Sequence, residues 1–471
     1  MKTVSKESFL GLQRFTKFYV SKWYLPLVLI LGLVFILLPN TLRDNPFMIG
    51  DESFYHLRIA QNVLDEGYVN YDELSFSGRN NFMELGLSYI IAGVSYITKL
   101  SIESSAKYLF ALLGVISLFL GYLILKHFDA KEGLFTLPVI FLSPPFIYLF
   151  SVVNKVAIPI FLSLLVIYLL LKKRYYISAV PMLAILFFNY AFTIFILISF
   201  LIIWLYIKKR KVVILILLIL LLGWIFSLDG NNFKIISDFG SELGVSIFGI
   251  FILLFGISVF WKKQEFPHLY FLVLLLFIAS IKIRWIIFIL IIPFSFLVTL
   301  NLSYLIKMKW ESGLIKDLTV LLLICGLLFS GVSSANFLSE EGPDKELFDA
   351  LSNIPIGSVV LSHQFNGYWI NYAGMKTVIG PFTNIDNYDE RKEDVKQLFE
   401  SRNLSLVKNI LNKYSVDYIL ITPNMRNGFI WSDDEEGVLF LLKYSADDFE
   451  RFYDKDLDSY KDVEIWKYNK K

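Results

Sequence analysis

Within ten residues, Ile49-Gly50-Asp51-Glu52-Ser53-Phe54-Tyr55-His56-Leu57-Arg58, the chain gathers two adjacent carboxylates, a phenol, an imidazole and a guanidinium. It does so in a protein that is 56% hydrophobic and only 18% charged. A helix beginning near Asp51 puts Asp51, Tyr55 and Arg58 on one face, with Glu52 and His56 on the adjacent one. Seven residues of helix rise about 10 Å. That is too far for a close Asp51–Arg58 pair, and a fitting span for two groups that grip different parts of one substrate. A carboxylate there can take a proton from a hydroxyl or hold a metal ion, and a guanidinium suits a phosphate through paired hydrogen bonds. The plainer reading of the same residues is a capped helix, with Asp51 or Glu52 favouring its dipole while His56 and Arg58 face water.

The elements that must position this cluster are membrane helices. A mean hydropathy of +0.59 over 471 residues excludes an ordinary soluble protein, and the apolar runs match the hydrocarbon thickness of a bilayer. The pattern predicts about eleven transmembrane helices, near 23–39, 106–126, 133–150, 156–171, 176–190, 192–207, 212–228, 244–261, 267–281, 285–306 and 317–335. With the N-terminus inside, the loops holding Lys126/Lys131, Lys172-Lys173-Arg174, Lys208-Lys209-Arg210-Lys211, Lys262-Lys263 and Lys307/Lys309/Lys316 all fall on the cytoplasmic side, as the positive-inside rule requires. Counting the apolar stretch Met83–Thr98 as a span would invert every later loop. It is therefore expected to be an interfacial or re-entrant helix within a long first external loop, residues 40–105.

Charge is divided unevenly. From Asn336 onward there are 24 acidic and 16 basic residues, a net of −8, so the residues before it carry +10 of the total of +2. The reading is a transmembrane domain over 1–335 and an external soluble α/β domain over 336–471 that packs against the external loops. Within the latter, Ser358–Ser362, Tyr418–Thr422 and Val463–Tyr468 read as strands and Asp394–Tyr414 as a helix. The single cysteine, Cys325, allows no intrachain disulfide. The basic start leads into Trp23–Pro39 without a small-residue cleavage site, so that segment is expected to stay as a signal anchor. The protein is thus expected to be a multi-pass plasma-membrane protein with a cytoplasmic N-terminus and an external C-terminal domain.

Three further charged residues fall on predicted external segments. Arg284, in Ile281-Lys282-Ile283-Arg284-Trp285, can snorkel to lipid headgroups or bind the phosphate of a lipid-linked substrate. Glu242 in Asp238-Phe239-Gly240-Ser241-Glu242 is a candidate ligand or a solvated loop acid, and Arg79 beside Asn80-Asn81 is a weaker candidate. None of the predicted spans carries Asp, Glu, Lys or Arg in its interior. Ion-coupled transporters usually need such groups near the midplane. Charge confined to the external face favours an enzyme there over a lipid-sugar flippase or transporter, and there is no nucleotide-binding motif.

On these residues the chain resembles the GT-C superfamily of membrane glycosyltransferases, which use polyprenyl-phosphate-linked sugars on the outer or lumenal face. Asp51-Glu52 matches the acidic pair of protein O-mannosyltransferases and lipid A aminoarabinose transferases. The string from Asp51 to Arg58 is similar to the first-loop motif of archaeal oligosaccharyltransferase catalytic subunits. Arg284, ahead of an apolar helix containing Pro293, resembles that family's phosphate-contacting arginine, and Glu242 lies near its loop glutamate. Gly367-Tyr368-Trp369-Ile370 resembles the segment following its Trp-Trp-Asp-Tyr-Gly acceptor motif. The motif itself is replaced by His363-Gln364-Phe365-Asn366-Gly367. The region that would bring an Asp-x-Asp metal ligand, Ser143-Pro144-Pro145 to Asn154-Lys155-Val156, has no acid.

The resemblance implies a mostly α, polytopic GT-C fold and an inverting transfer of sugar from a polyprenyl-phosphate donor to a protein, lipid or glycan acceptor. Asp51 would be the base and Glu52 its partner on the acceptor. Arg58 and Arg284 would hold the leaving phosphate, with Tyr55, His56, Arg79 and Glu242 lining the substrate. No cofactor and no nucleic acid are expected, with a divalent ion, Mg or Mn, as the alternative. The rival within this class is a divergent oligosaccharyltransferase that moves a lipid-linked glycan to asparagine.

Overall fold

The computed structural model describes residues 23–67, 71–74, 78–80, 85–127, 135–188, 236, 243–263, 267–381, 387–433, 435–453 and 463–470. The predicted helices near 192–207 and 212–228, and Glu242, lie outside the described residues. By its contacts the chain forms two compact units, one of residues 1–44 and 106–341, the other of residues 45–105 and 342–471.

The first unit is built from apolar helices: α1 (Tyr24–Leu42), and α4 (Ile102–His127), which begins in the second unit. They are followed by α5 (Thr136–Phe141), α6 (Pro144–Ser151), α7 (Ala157–Leu171) and α8 (Tyr175–Ile185). The last four are α9 (Ile247–Lys263), α10 (Pro267–Lys282), α11 (Ile287–Lys307) and α12 (Gly313–Glu340). Among the described residues four helices, α1, α4, α11 with its leading turn, and α12, are long and apolar enough to cross a membrane. The other predicted spans on described residues are mostly single apolar helices of 11 to 17 residues.

The span expected near 133–150 is instead two short helices. The chain breaks at Ser143, extended at φ −76° and ψ 133°, because Pro144 and Pro145 disfavour a helical residue before them and then start a new helix. Ser151 at the end of α6 donates to the Ile36 carbonyl at 2.6 Å, and Asn40 donates back to the Ser151 carbonyl at 3.3 Å, tying α6 to α1. Helix α12 starts earlier than the apolar pattern suggests and takes in Asp317, which is 3% exposed.

The second unit joins the first loop to the C-terminal part of the chain. Its loop half holds α2 (Asp51–Glu66), the short ribbon β1 (Tyr71–Asp72) with β2 (Arg79–Asn80), and α3 (Gly86–Thr98). The expected interfacial helix corresponds to α3, which packs against α2. The C-terminal half contains α13 (Lys345–Leu351), β3 (Val359–Leu361), α14 (Gly367–Tyr372), β4 (Lys376–Thr377), α15 (Tyr388–Glu400) and α16 (Leu404–Lys413). It closes with β5 (Tyr418–Ile421), α17 (Val438–Tyr444), β6 (Phe449–Tyr453) and β7 (Glu464–Tyr468).

The sheet order is β4-β3-β5-β7-β6, with β4, β3 and β5 parallel and β7 and β6 antiparallel. Alternation along β5 sends Tyr418 and Leu420 into one core with Leu347, Val360 and Ile370. Ile419 and Ile421 enter the other, with Leu361, Val395, Phe399 and Leu411. Both faces being covered explains why all four residues of β5 are buried and apolar. The single helix expected over Asp394–Tyr414 is two. Asn403 ends the interruption by accepting from the backbone of Ser405 and Leu406, the usual task of a cap.

Candidate functional site

Helix α2 starts where it does because of Gly50. This residue sits at φ +80°, a conformation that a side chain disfavours, and it turns the chain so that Asp51 is the first helical residue. Asp51 and Glu52 thus occupy the first turn, where the helix dipole stabilises negative charge. Both are half-buried, whereas every residue from Ser53 to Ala60 is buried. The helix is sheathed by α3 on one side and α14 on another.

Aromatic rings do much of this packing. Phe54 meets Tyr372 edge-on with centroids 5.1 Å apart and Phe348 at 5.6 Å, while Tyr55 lies 6.1 Å from Tyr368. Tyr372 donates to the Glu103 carboxylate at 2.7 Å. Burial and the adjacent negative charge push its phenol well above the usual range. Asn371 and the Thr377 amide both donate to the Leu74 carbonyl, at 2.9 and 3.3 Å. Helix α14 can lie close in because Gly367 approaches the backbone of Gly380; a Cβ there would stand 2.7 Å from the Gly380 Cα.

The basic residues of the cluster are sealed. Arg58 donates from both terminal nitrogens to Asp72, at 2.7 and 2.6 Å, and both residues are at least nine-tenths buried. This fork-to-fork pair differs from the phosphate ligand expected of Arg58: its two best-placed donors are already spent on a carboxylate of the same loop. His56 is 2% exposed; its Nδ1 lies 3.3 Å from Ser88 Oγ and its Nε2 faces Glu52 at 3.6 Å. Tyr55 is also buried, against His56 and Tyr368. Asp72 and Ser88 escaped the sequence reading. Each is a lone polar residue with no periodic or motif signal to link it to a partner 14 or 32 positions away.

Arg79 stands on β2 opposite Asp72 in the strand register. Arg284, in the first unit, opens a 3₁₀ turn, Arg284–Ile286, ahead of α11. Its guanidinium lies 5.7 Å from the Tyr148 ring centroid, and Tyr148 in turn stacks on Phe288. Held this way, Arg284 is half-buried and fixed by a cation–π contact. Asn154 is structural: its amide donates to the Leu149 and Val152 carbonyls and accepts from the Val156 and Ala157 amides, starting α7.

No protein-family model matches the chain, and no curated protein matches it in sequence. Solved structures do. The oligosaccharyltransferase of Archaeoglobus fulgidus, tethered to an acceptor peptide containing an NVT sequon, aligns at a TM-score of 0.58 and 13% identity. The alignment covers 86% of this chain and 70% of that one. The same protein in complex with an inhibitory peptide and a dolichol-phosphate aligns at 0.54 and 13%, over 86% and 70%. The mycobacterial arabinofuranosyltransferase AftD aligns at 0.55 and 13%, over 96% of this chain but 40% of that one. At this identity the likeness is one of fold. The chain is distantly similar to GT-C glycosyltransferases, and its structural neighbours are membrane enzymes that transfer sugars.

Proposed function

We propose that this protein is an integral membrane glycosyltransferase of inverting type. It takes a sugar from a polyprenyl-phosphate-linked donor and passes it to an acceptor hydroxyl on the external face of the membrane, with its N-terminus in the cytoplasm. The observation that carries this reading is the pair Asp51-Glu52, held half-buried in the first turn of a helix whose next eight residues, Ser53 to Ala60, are all buried. Asp51 serves as general base, removing the acceptor proton as the hydroxyl attacks the anomeric carbon in line, a contribution of about 10²–10⁴ in rate. Glu52 orients the acceptor, and its place is supported by His56, 3.6 Å away and backed by Ser88.

With both terminal nitrogens bound to Asp72, Arg58 is withdrawn from the leaving phosphate. Arg284, held on Tyr148, remains a cation able to offset charge that develops on a phosphate. The reaction runs without a metal in this reading, because the segment Ser143–Val156, which resembles the region of the metal-binding acids, carries no acid. Two adjacent carboxylates are nonetheless a donor set by which Mg²⁺ is held together with substrate phosphates. If Asp51 and Glu52 held such an ion, it would polarise the phosphate, and chelation would stop transfer.

The test is mass spectrometry of glycans from cells carrying the wild type or Asp51→Asn at equal protein level. Loss of one sugar from the surface glycans is expected. Unchanged glycans would remove Asp51 from the chemistry. A second reading, transfer of a whole glycan to asparagine, is favoured by the neighbour that carries an acceptor peptide. The same spectra decide it, because the lost sugar would then be found attached to asparagine instead of a hydroxyl.

A further inference from the structure

A second site lies in the C-terminal part of the second unit, away from the carboxylate pair. The chain leaving β3 turns towards β4, whereas the chain leaving β5 passes through α17 to β6, at the opposite edge of the sheet. Where neighbouring parallel strands send their connections in opposite directions, a crevice opens outside their carboxyl ends, and ligands of α/β sheets bind there. A cavity of 570 Å³ occupies this region, inside the roughly 300–1,000 Å³ typical of small-molecule sites.

Its walls differ in chemistry. One is aromatic: His363, just after β3, meets Phe429 edge-on at 4.7 Å. Phe429 ends a π-helical turn, Met425–Phe429, just after β5, a rare conformation that clusters at functional sites. Phe365 closes the trio, 4.9 Å from His363 and 5.6 Å from Phe429. Phe365 and Phe429 remain 46% and 54% exposed. The opposite wall is one stripe of α15, where Asp389, Lys392, Glu393 and Lys396 recur at helical spacing with alternating sign. Gln364 lies between the two walls, its amide oxygen accepting from the Tyr388 hydroxyl at 3.1 Å.

We infer that this cavity is a carbohydrate cradle that holds the glycan of the acceptor. A sugar ring has an apolar C–H face and a rim of hydroxyls that both donate and accept. The exposed Phe429 ring suits the first, and the mixed carboxylates, ammoniums and amide suit the second. Burial pushes the His363 imidazole down to about 4, so it stays neutral beside the apolar face. Its Nδ1 accepts from the Phe365 amide at 3.4 Å, which leaves the proton on Nε2 as a further donor. Other occupants fit less well. Alternating charge opposes a polyanion, and a peptide that adds a strand needs a sheet edge, whereas the cavity lies at strand ends. Tyr368, five residues beyond His363, packs on Tyr55 of the carboxylate helix.

Assigning the bound sugar as acceptor rests on the glycosyltransferase reading; the binding itself does not. The experiment is ligand-observed NMR on the full-length protein in detergent, with mannobiose, galactobiose and chitobiose as probes and an Asn-Val-Thr peptide as comparison. At least one disaccharide is expected to bind. Phe429→Ala should weaken it by about tenfold, while Phe429→Tyr stays within about twofold because a ring is kept. Glu393→Gln, on the exposed face of α15, should weaken it severalfold without affecting folding. Three results overturn the cradle: no disaccharide bound at about 10 mM, a very weak limit for a specific site; binding indifferent to Phe429→Ala and Glu393→Gln; or the peptide alone binding with that dependence. Asp51→Asn should bind the disaccharide like the wild type. Transfer that survives Asp51→Asn defeats the base assignment and leaves the cradle standing. Transfer at the wild-type rate by Phe429→Ala defeats the cradle alone.

Discussion

The first turn of α2 carries two acids and the two turns that follow carry a histidine and an arginine, and the fold treats the two sets in opposite ways. Asp51 and Glu52 stay half-open to their surroundings, whereas His56 and Arg58 are sealed, one against Ser88 and the other in a forked pair with Asp72. An ionised group removed from water needs a partner of its own. The acids are therefore the residues of the cluster that solvent reaches, and the buried Arg58–Asp72 pair serves to hold the helix. A short stretch of sequence thus contains the end proposed to react and its own support.

The comparison can be broken at either end. Asp51→Asn should lower transfer by about 10²–10⁴ with the thermal unfolding midpoint unchanged; a large loss of stability would make Asp51 part of the support instead. Arg58→Ala or Asp72→Ala should each cost about 3–5 kcal/mol, because each strands a buried charge. Replacing both, as Arg58→Met with Asp72→Leu, should recover much of that loss in a detergent unfolding assay. Single variants that unfold like the wild type would show that the pair is not structural.

A smaller effect is expected at Ser88. Ser88→Ala removes the partner of a buried ring nitrogen, a loss of about 1–3 kcal/mol, and transfer should slow by less than it does in Asp51→Asn. Smallest is a pH effect at His363. Its folded value of about 4 lies below the ordinary imidazole value of 6.5. The neutral ring therefore adds stability that is fully present above 6.5 and is lost as pH falls towards 4, by about 1 kcal/mol once solvent screening is allowed for. Unfolding of wild type and His363→Gln between about pH 7 and pH 4.5 should diverge by that amount.

Much of this was legible in the residues. Long apolar runs located α1, α4, α11 and α12, since a bilayer-length helix needs little besides composition. Short buried strands β3, β5 and β7 were visible as apolar runs between turn residues. The Asp51 helix was readable because glycine and two acids mark a helix start. What composition could not reveal was pairing at a distance. Nothing near Arg58 announces Asp72, and nothing in the spacing of Asp394–Tyr414 outweighs a cap at Asn403. Packing of the C-terminal domain on the first loop was expected from the sequence, but not the residues that make it, such as Asn371 donating to the Leu74 carbonyl.

That last hydrogen bond spans 297 residues of chain. At about 10 residues per second, translation takes roughly half a minute to cover that distance. During that interval α2 has been made but the aromatic residues of α13 and α14 that cover it have not. The newborn loop must wait without the rings of Phe348, Tyr368 and Tyr372, so a ribosome that stops just after residue 341 releases a chain that has α12 but whose acidic helix is covered by α3 alone. Quality control that senses exposed aromatic surface would distinguish such a chain from the finished protein.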